Sequence, residues 1–115
     1  MQAPAELNLI CYQGANFDYT LTWNSGGTPV DLTNYDARMQ VRTSAEGTAI
    51  YLNLTAGTGI TLGGTAGTIY LEADAATTSG IGQGSYSYDL ELISEAGYVT
   101  RLVNGTFLVD PEVTE

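Results

Sequence analysis

Residues 17–23 constrain the fold of this chain more than any other segment, because large apolar and polar side chains alternate there without a break. The large side chains are those of Phe17, Tyr19, Leu21 and Trp23, and the ones between them are Asp18, Thr20 and Thr22. Successive side chains of a β-strand point to opposite faces, whereas a helix would mix the two sets. The pattern predicts a half-buried strand of an antiparallel sheet, with the four large residues facing a core.

The same period of two recurs along the rest of the chain. Further strands are predicted within residues 7–11, 37–42, 50–54, 60–62, 68–73, 86–92 and 98–109. One helical turn is predicted after Asp74, and Gly105 is interpreted as a bulge in the last strand. About seven to eight strands at this spacing predict an all-β antiparallel sandwich. The residues predicted to fill its core are Phe17, Leu21, Trp23, Met39, Val41, Leu52, Leu90 and Leu92.

The length of 115 residues is typical of one domain, and no change in composition divides the chain. We therefore expect a single β-sandwich domain over residues 1–115, with residues 1–6 and 110–115 as extended tails. The N-terminal residues lack the basic start and apolar stretch of a secretion signal. No apolar run approaches the length needed to cross a bilayer. These features predict a protein made in a cytoplasm and not inserted into a membrane.

The charge of the chain is strongly negative. Three basic residues, all arginines, stand against thirteen Asp and Glu, which gives a formal net charge of -10. Nucleic-acid binding needs a cluster of cations to neutralise phosphates, and so does attraction to an anionic membrane surface. The sequence therefore disfavours both kinds of partner. The charge also predicts repulsion between copies in solution. If the protein is a subunit of an assembly, we expect its partner surface to be apolar or basic, or its acidic faces to point at water.

Residues suited to catalysis or to metal binding are scarce. The chain has no His and no Lys, and Cys11 lies in a strand pattern where it is expected to be a small buried residue. Asp89 and Glu91 share one strand face but are interpreted as solvent-facing carboxylates. Three oxygen-bearing residues of the crossover, Asp31, Asn34 and Asp36, are interpreted as turn caps rather than as calcium ligands. We predict no catalytic residue, no cofactor and no metal.

Tyrosines and arginines are the candidates for contact with a partner. The contact candidates are Tyr51, Tyr70, Tyr98, Arg38 and Arg42. The tyrosines either pack across strands or form a contact surface for a neighbouring subunit. The arginines either pair with carboxylates such as Asp18, Asp89 and Glu91 or anchor an acidic partner.

Several segments together resemble a known family. They read QGANFDYTLTW at residues 13–23, PVDLTNY at 29–35, ARMQVR at 37–42, GITLGG at 59–64, YDLEL at 88–92 and VTRL at 99–102. In these segments the chain resembles small virion proteins of tailed bacteriophages, in particular the immunoglobulin-like N-terminal domain of phage baseplate upper proteins. The resemblance implies an immunoglobulin-like sandwich, a non-enzymatic structural role in the virion, and no catalytic residues. The resemblance extends to the N-terminal domain of those proteins, and within these 115 residues we expect no counterpart of their long helical and receptor-binding portions.

Three functions follow from these patterns as expectations. The first is a structural component of a tailed-phage virion that attaches to the tail or baseplate by surface and edge-strand contacts. Its partners would be other virion proteins, in multiple copies set by particle symmetry. The second keeps the fold but makes the protein a capsid decoration protein bound to the major capsid protein. The third is a carbohydrate-binding module that uses Trp23 or surface tyrosines as a stacking platform.

Overall fold

β-Strands make up most of the computed structural model, which describes residues 5–43 and 49–111. The strands are β1 (Ala5–Glu6), β2 (Leu9–Tyr12), β3 (Phe17–Thr22), β4 (Asn24–Ser25), β5 (Thr28–Pro29), β6 (Asp36–Arg42), β7 (Ile50–Ala56), β8 (Gly59–Leu62), β9 (Thr68–Ala73), β10 (Gly84–Ile93) and β11 (Val99–Asp110). A 3-10 turn at Gly64–Ala66 and a one-turn helix α1 at Ala75–Ser79 interrupt them. The alternation of apolar and polar residues produces this pattern, as in β10, where every second residue from Tyr88 to Leu92 is buried.

Among the described residues, nine strands form one curled sheet. Their order is β1-β11-β10-β6-β7-β8-β9-β3, with β2 also paired to β11, and β4 and β5 form a separate hairpin. The curl brings β3, β8 and β9 over a second layer of β6, β7, β10 and β11. Across the two layers, the ring centroids of Phe17 in β3 and Phe107 in β11 lie 5.3 Å apart. The predicted all-β sandwich is therefore confirmed.

Three pairings of the sheet are parallel, which the predicted antiparallel sandwich did not include. Both β1 and β2 run parallel to β11, and β7 makes a two-residue parallel contact with β8. The N-terminal strands run parallel because the chain enters along the outer edge of the last strand and then turns back into β3. The other pairings are antiparallel, as predicted.

The two expected tails are partly ordered into the sheet. At the N-terminal end, Ala5 and Glu6 pair with Val103 and Asn104. At the C-terminal end, Asp110 pairs with Tyr12. The remaining tail residues, 1–4 and 112–115, lie outside the described residues, as do residues 44–48.

The core forms between the two layers, largely from the residues that the alternation selected. Six of the eight predicted core residues are buried, namely Phe17, Met39, Val41, Leu52, Leu90 and Leu92. Leu21 and Trp23 pack against the core but are only partly buried. Tyr19 is 37% exposed, so the prediction that all four large residues of segment 17–23 face a closed core is wrong. The opposite layer covers Phe17, the first residue of β3, but covers the last residues of β3 only in part.

The helix α1 forms as predicted and docks on the turn between β2 and β3. Asp74 caps it by accepting a hydrogen bond from the backbone N–H of Thr77 at 2.8 Å. Thr78 is fully buried, and its hydroxyl donates to the Ala15 carbonyl at 2.8 Å and accepts from the Gly14 N–H at 3.1 Å. These bonds satisfy backbone groups of a turn that would otherwise be left without partners.

The predicted bulge at Gly105 is wrong. The register between β10 and β11 shifts between Leu90 and Glu91, which leaves Leu102 as the extra residue of β11. Gly105 is required for another reason, because a side-chain carbon there would lie 2.3 Å from the carbonyl oxygen of Leu7. The absence of a side chain lets the N-terminal segment pass closely over β11.

Candidate functional surfaces

The outer face of β6, β10 and β11 carries all three arginines of the chain. We call it the arginine face, and its charged and amide residues are Glu6, Arg38, Gln40, Arg42, Asp89, Glu91, Arg101 and Asn104. Nε of Arg38 lies 2.6 Å from Oε1 of Glu91, and Arg101 lies 3.8 Å from both Asp89 and Glu91. Arg42 hydrogen-bonds to the side-chain oxygen of Gln40. The predicted pairing with Asp89 and Glu91 is confirmed for Arg38 and Arg101, and exposed pairs of this kind fix geometry more than they stabilise.

The three candidate tyrosines lie in different parts of the molecule. Tyr51 in β7 is half exposed, and its ring centroid lies 4.9 Å from that of Tyr86. Tyr70 lies in β9, in the other layer. Tyr98 lies in the turn between β10 and β11 and is 72% exposed. The tyrosines therefore do not form one patch with Arg38 and Arg42, which share the arginine face.

An open groove of about 470 Å³ lies beside β3 and β9, on the layer opposite the arginine face. Three carboxylates line it, those of Asp18, Glu72 and Asp74, and no arginine is among its lining residues. Desolvation raises the pKa of Tyr70, and the neighbouring charges of Asp18 and Glu72 raise it further. Asp18 thus faces Tyr70 and Glu72 instead of an arginine. The predicted pairing of Asp18 with an arginine is not among the ion pairs of the described residues.

A second open groove, of about 370 Å³, separates β3 from β11 and is called the edge groove below. Its apolar lining comes from Ala5, Leu21, Trp23, Leu102 and Val103. This groove explains why Leu21 and Trp23 are only partly buried. The ring of Trp23 packs edge-to-face on Tyr35, with centroids 6.2 Å apart. Alternation could not reveal the groove, because it fixes which face a residue occupies but not what covers that face.

Of the three crossover residues, Asp31 acts as a turn cap, as predicted. One carboxylate oxygen of Asp31 accepts hydrogen bonds from the Thr33 hydroxyl at 2.6 Å and from the Thr33 N–H at 3.0 Å. These bonds hold the pKa of Asp31 below its ordinary value. Asp36 accepts from the Ala37 N–H, and Asn34 adopts a left-handed backbone with φ of 66°. Within residues 5–43 and 49–111, no group of three or more His, Cys, Asp or Glu could hold a metal ion.

Cys11 is buried in β2 as a free thiol, which agrees with its expected role as a small core residue. Burial raises the pKa of the Cys11 thiol. A raised pKa disfavours the thiolate, which is the nucleophilic form.

Among the helices of the described residues, none is long and apolar enough to cross a membrane.

Comparison with protein-family models and with curated proteins finds no match to this sequence. Among solved structures, the chain is similar to CopC from Methylosinus trichosporium OB3b, with a TM-score of 0.50 and 16% identity over 93% of this chain and 89% of that chain. It is also similar to fibronectin(III)-like modules of Clostridium thermocellum CbhA, with a TM-score of 0.46 and 10% identity over 95% and 92% of the two chains. At such identities the likeness concerns the fold alone. The likeness to CopC agrees with the all-β sandwich that the strand order shows.

Proposed function

We propose that this protein is a non-catalytic structural subunit of a tailed-phage particle that attaches to the tail or baseplate through the edges and outer faces of its sandwich. The resemblance of residues 13–23, 29–35 and 37–42 to phage baseplate upper proteins supports the particle and the location. In this role the protein works by binding its neighbours in the particle. Its function then depends on exposed backbone edges and surface side chains.

The open edge of β3 is the observation that carries the attachment mechanism. β3 is the last strand of the curled sheet, pairs with β9 on one side, and has no described strand on the other. An uncovered strand edge is a template for an added strand from another chain. The edge groove lies beside this edge, and Leu21, Trp23 and Leu102 offer apolar contacts there for side chains of the added strand. Strand addition at β3 thus combines backbone hydrogen bonds with apolar burial.

The location is tested on purified particles of the phage that encodes the protein. Quantitative mass spectrometry gives the copy number, and a labelled antibody shows the position by electron microscopy. We expect a small copy number and label at the tail or baseplate. Many copies over the shell would instead identify a capsid decoration protein with the major capsid protein as partner. Absence from intact particles would refute a virion role altogether.

The attachment mechanism is tested separately with Leu102→Lys, which places a charge in the edge groove. Thr61→Lys is the matched control, because Thr61 is exposed on β8, away from this groove. Thermal melts first establish that both variants remain folded. We expect Leu102→Lys to lower incorporation into particles and Thr61→Lys to leave it unchanged. Equal incorporation of the two folded variants would rule out the edge groove but not the location.

A second candidate function is a carbohydrate-binding module. The observation that favours it is the half-buried Trp23 in an open groove, since aromatic rings stack on sugars. A glycan array that showed tight binding by the wild type and loss of binding by a folded Trp23→Ala variant would establish it. Such a result would also replace the structural role as the primary function.

A further inference from the structure

The open edge of β3 presents the backbone groups of every second residue. The Trp23 N–H donates to the Gly67 carbonyl at 2.8 Å, which continues the β3–β9 ladder by one pair. Hydrogen-bonded positions alternate along an antiparallel ladder, so the backbone groups of Asp18, Thr20 and Thr22 point away from β9. In the described part of the chain, no strand other than β9 pairs with β3. A strand added at this edge would therefore hydrogen-bond to these three residues.

The outer side of this edge is acidic. Asp18 lies directly opposite Glu72 in the β3–β9 ladder, an arrangement in which like charges are destabilising. Because Trp23 pairs with Gly67 by a hydrogen bond, Asp18 and Glu72 form the non-hydrogen-bonded type of pair, whose side chains lie closer together. Asp74 lines the same groove, whereas the three arginines of the chain lie on β6 and β11. The strands β3, β8 and β9 thus carry two carboxylates and no basic residue.

The inner side of the same edge is apolar, and the one cation near it lies at the far end. Leu21 and Trp23 line the edge groove, and so does Arg101 of β11. Phe17, next to Asp18, packs on residue 107 of β11, so Arg101 lies toward the Trp23 end of β3. A second cation would be repelled at that end. The positions of the charges therefore favour a cation in the added strand only near Asp18.

We propose that the strand added to β3 belongs to a different virion protein and alternates apolar with polar residues, with a Lys or Arg opposite Asp18. Directly opposed residues of neighbouring strands share a face, so this cation lies on the outer side with Asp18 and Glu72. Apolar residues opposite Leu21 and Trp23 then fill the edge groove. This inference rests on the strand addition proposed above and names the chemistry of the partner.

A second copy of this chain has no free strand of this kind. The strand β3 contains no cation, so two β3 edges would bring only carboxylates together. The strand β6 combines apolar alternation with Arg38 and Arg42, but both of its edges are paired, to β7 and to β10. Arg101 of β11 already lies 3.8 Å from Asp89 and from Glu91. The formal net charge of -10 adds repulsion between copies, which leaves another protein as the occupant.

Binding of short synthetic peptides to the purified full chain, measured by fluorescence anisotropy, tests the proposal. The labelled probe alternates valine and threonine and carries lysine in place of the last threonine, the order that antiparallel addition to β3 requires. A peptide of reversed order serves for parallel addition. Matched peptides carry glutamate instead of lysine. In one of the two orders, we expect the lysine peptide to bind about tenfold more tightly than its glutamate counterpart.

Variants of the protein locate the bound peptide. Asp18→Lys should reverse the preference between the lysine and glutamate peptides. Glu95→Lys is the matched control, because it makes the same charge change at an exposed site of the β10–β11 turn, and should keep the preference within about twofold of wild type. Thr20→Pro removes a backbone N–H from the open edge and should abolish binding of every peptide. Circular dichroism and thermal melts first establish that each variant is folded.

The possible outcomes separate this inference from the wider function. Equal binding of lysine and glutamate peptides, lost in Thr20→Pro, would refute the need for a cation but leave strand addition at β3 intact. Binding that survives Thr20→Pro, or a preference that Asp18→Lys leaves unchanged, would overturn the proposal because the peptide would then use another surface. Absence of binding by every peptide would overturn it too. Self-association lost in Thr20→Pro would identify a second copy as the occupant instead.

This chain's own N-terminal segment is the remaining alternative occupant, because Ala5 lines the edge groove. Peptide binding that appears only in a variant without residues 1–4 would identify that segment and overturn the proposal. None of these results decides whether the protein belongs to the particle, which the copy number in purified particles tests separately.

Discussion

Replacing Gly105 with alanine is the sharpest test of how the N-terminal segment is held on the sandwich. The new side-chain carbon would lie 2.3 Å from the carbonyl oxygen of Leu7 and 3.0 Å from the side-chain oxygen of Asn8. The first distance is roughly 1 Å shorter than ordinary van der Waals contact. The nearest atom belongs to the backbone and cannot rotate away, so the N-terminal segment must move off β11.

The displacement breaks contacts whose energies can be estimated. Overpacking of a well-packed site costs about 1–3 kcal/mol. The Leu7 carbonyl also accepts a 2.5 Å hydrogen bond from the buried hydroxyl of Tyr88, and leaving such a group without a partner costs about 1–3 kcal/mol. We expect Gly105→Ala to lower the free energy of unfolding by roughly 3 kcal/mol. In a domain of this size, Tm should fall by about 10 °C or more.

Chemical denaturation and thermal melts of Gly105→Ala, followed by circular dichroism, measure this effect. Gly80→Ala is the matched control, because its new carbon would approach nothing closer than the Thr77 carbonyl at 3.5 Å. We expect that control to stay within about 0.5 kcal/mol of wild type. Tyr88→Phe isolates the hydrogen bond and should cost about 1 kcal/mol. If Gly105→Ala proved as stable as Gly80→Ala, the close passage of Leu7 over β11 would be wrong.

Three further predictions concern the turns and the core. Thr78→Val should destabilise the protein by about 1–3 kcal/mol in urea denaturation, because it leaves buried backbone groups without partners; Thr61→Val, at an exposed site of β8, should be near neutral. Hydrogen bonds lower the pKa of Asp31 and Asp74 in the folded state, so their stabilisation is complete above the unfolded pKa and is lost as pH falls through the folded one. A double Asn variant at these two positions should therefore lose less stability than wild type between pH 7 and about pH 3, and an equal loss would contradict this. Phe107→Ala should cost about 3–5 kcal/mol because Phe107 is fully buried between the layers.

Much of the fold could be predicted from the sequence because each strand carries its own alternation. In β6 and β10 the predicted core residues Met39, Val41, Leu90 and Leu92 are all buried. Both strands lie inside the sheet, and the opposite layer covers their inward side chains. The capping of α1 by Asp74 was also predictable, since a cap depends on residues close in sequence.

The surfaces proposed for binding were predicted less completely, because they depend on which strands become neighbours. The pairing of Arg38 with Glu91 could be anticipated as a type of contact, but the gathering of all three arginines on one face requires the register of β6, β10 and β11. The bulge at Leu102 had no local signal. Gly105 was recognised as exceptional from the sequence. The reason that position 105 requires glycine is the close approach of Leu7, which is almost a hundred residues away in sequence.

The strand β3 is where the prediction of the core was least accurate, and it is also the strand proposed to bind a partner. The strand begins under cover, where Phe17 packs on Phe107, and is followed by Trp23, which borders an open groove. Cover decreases along β3 because an open groove separates its last residues from β11, and the outer edge of β3 has no described neighbour. The apolar residues assigned to the core but left partly exposed, Leu21 and Trp23, therefore lie where an added strand would bury them. A strand from a partner would complete the apolar face that the chain's own second layer leaves open.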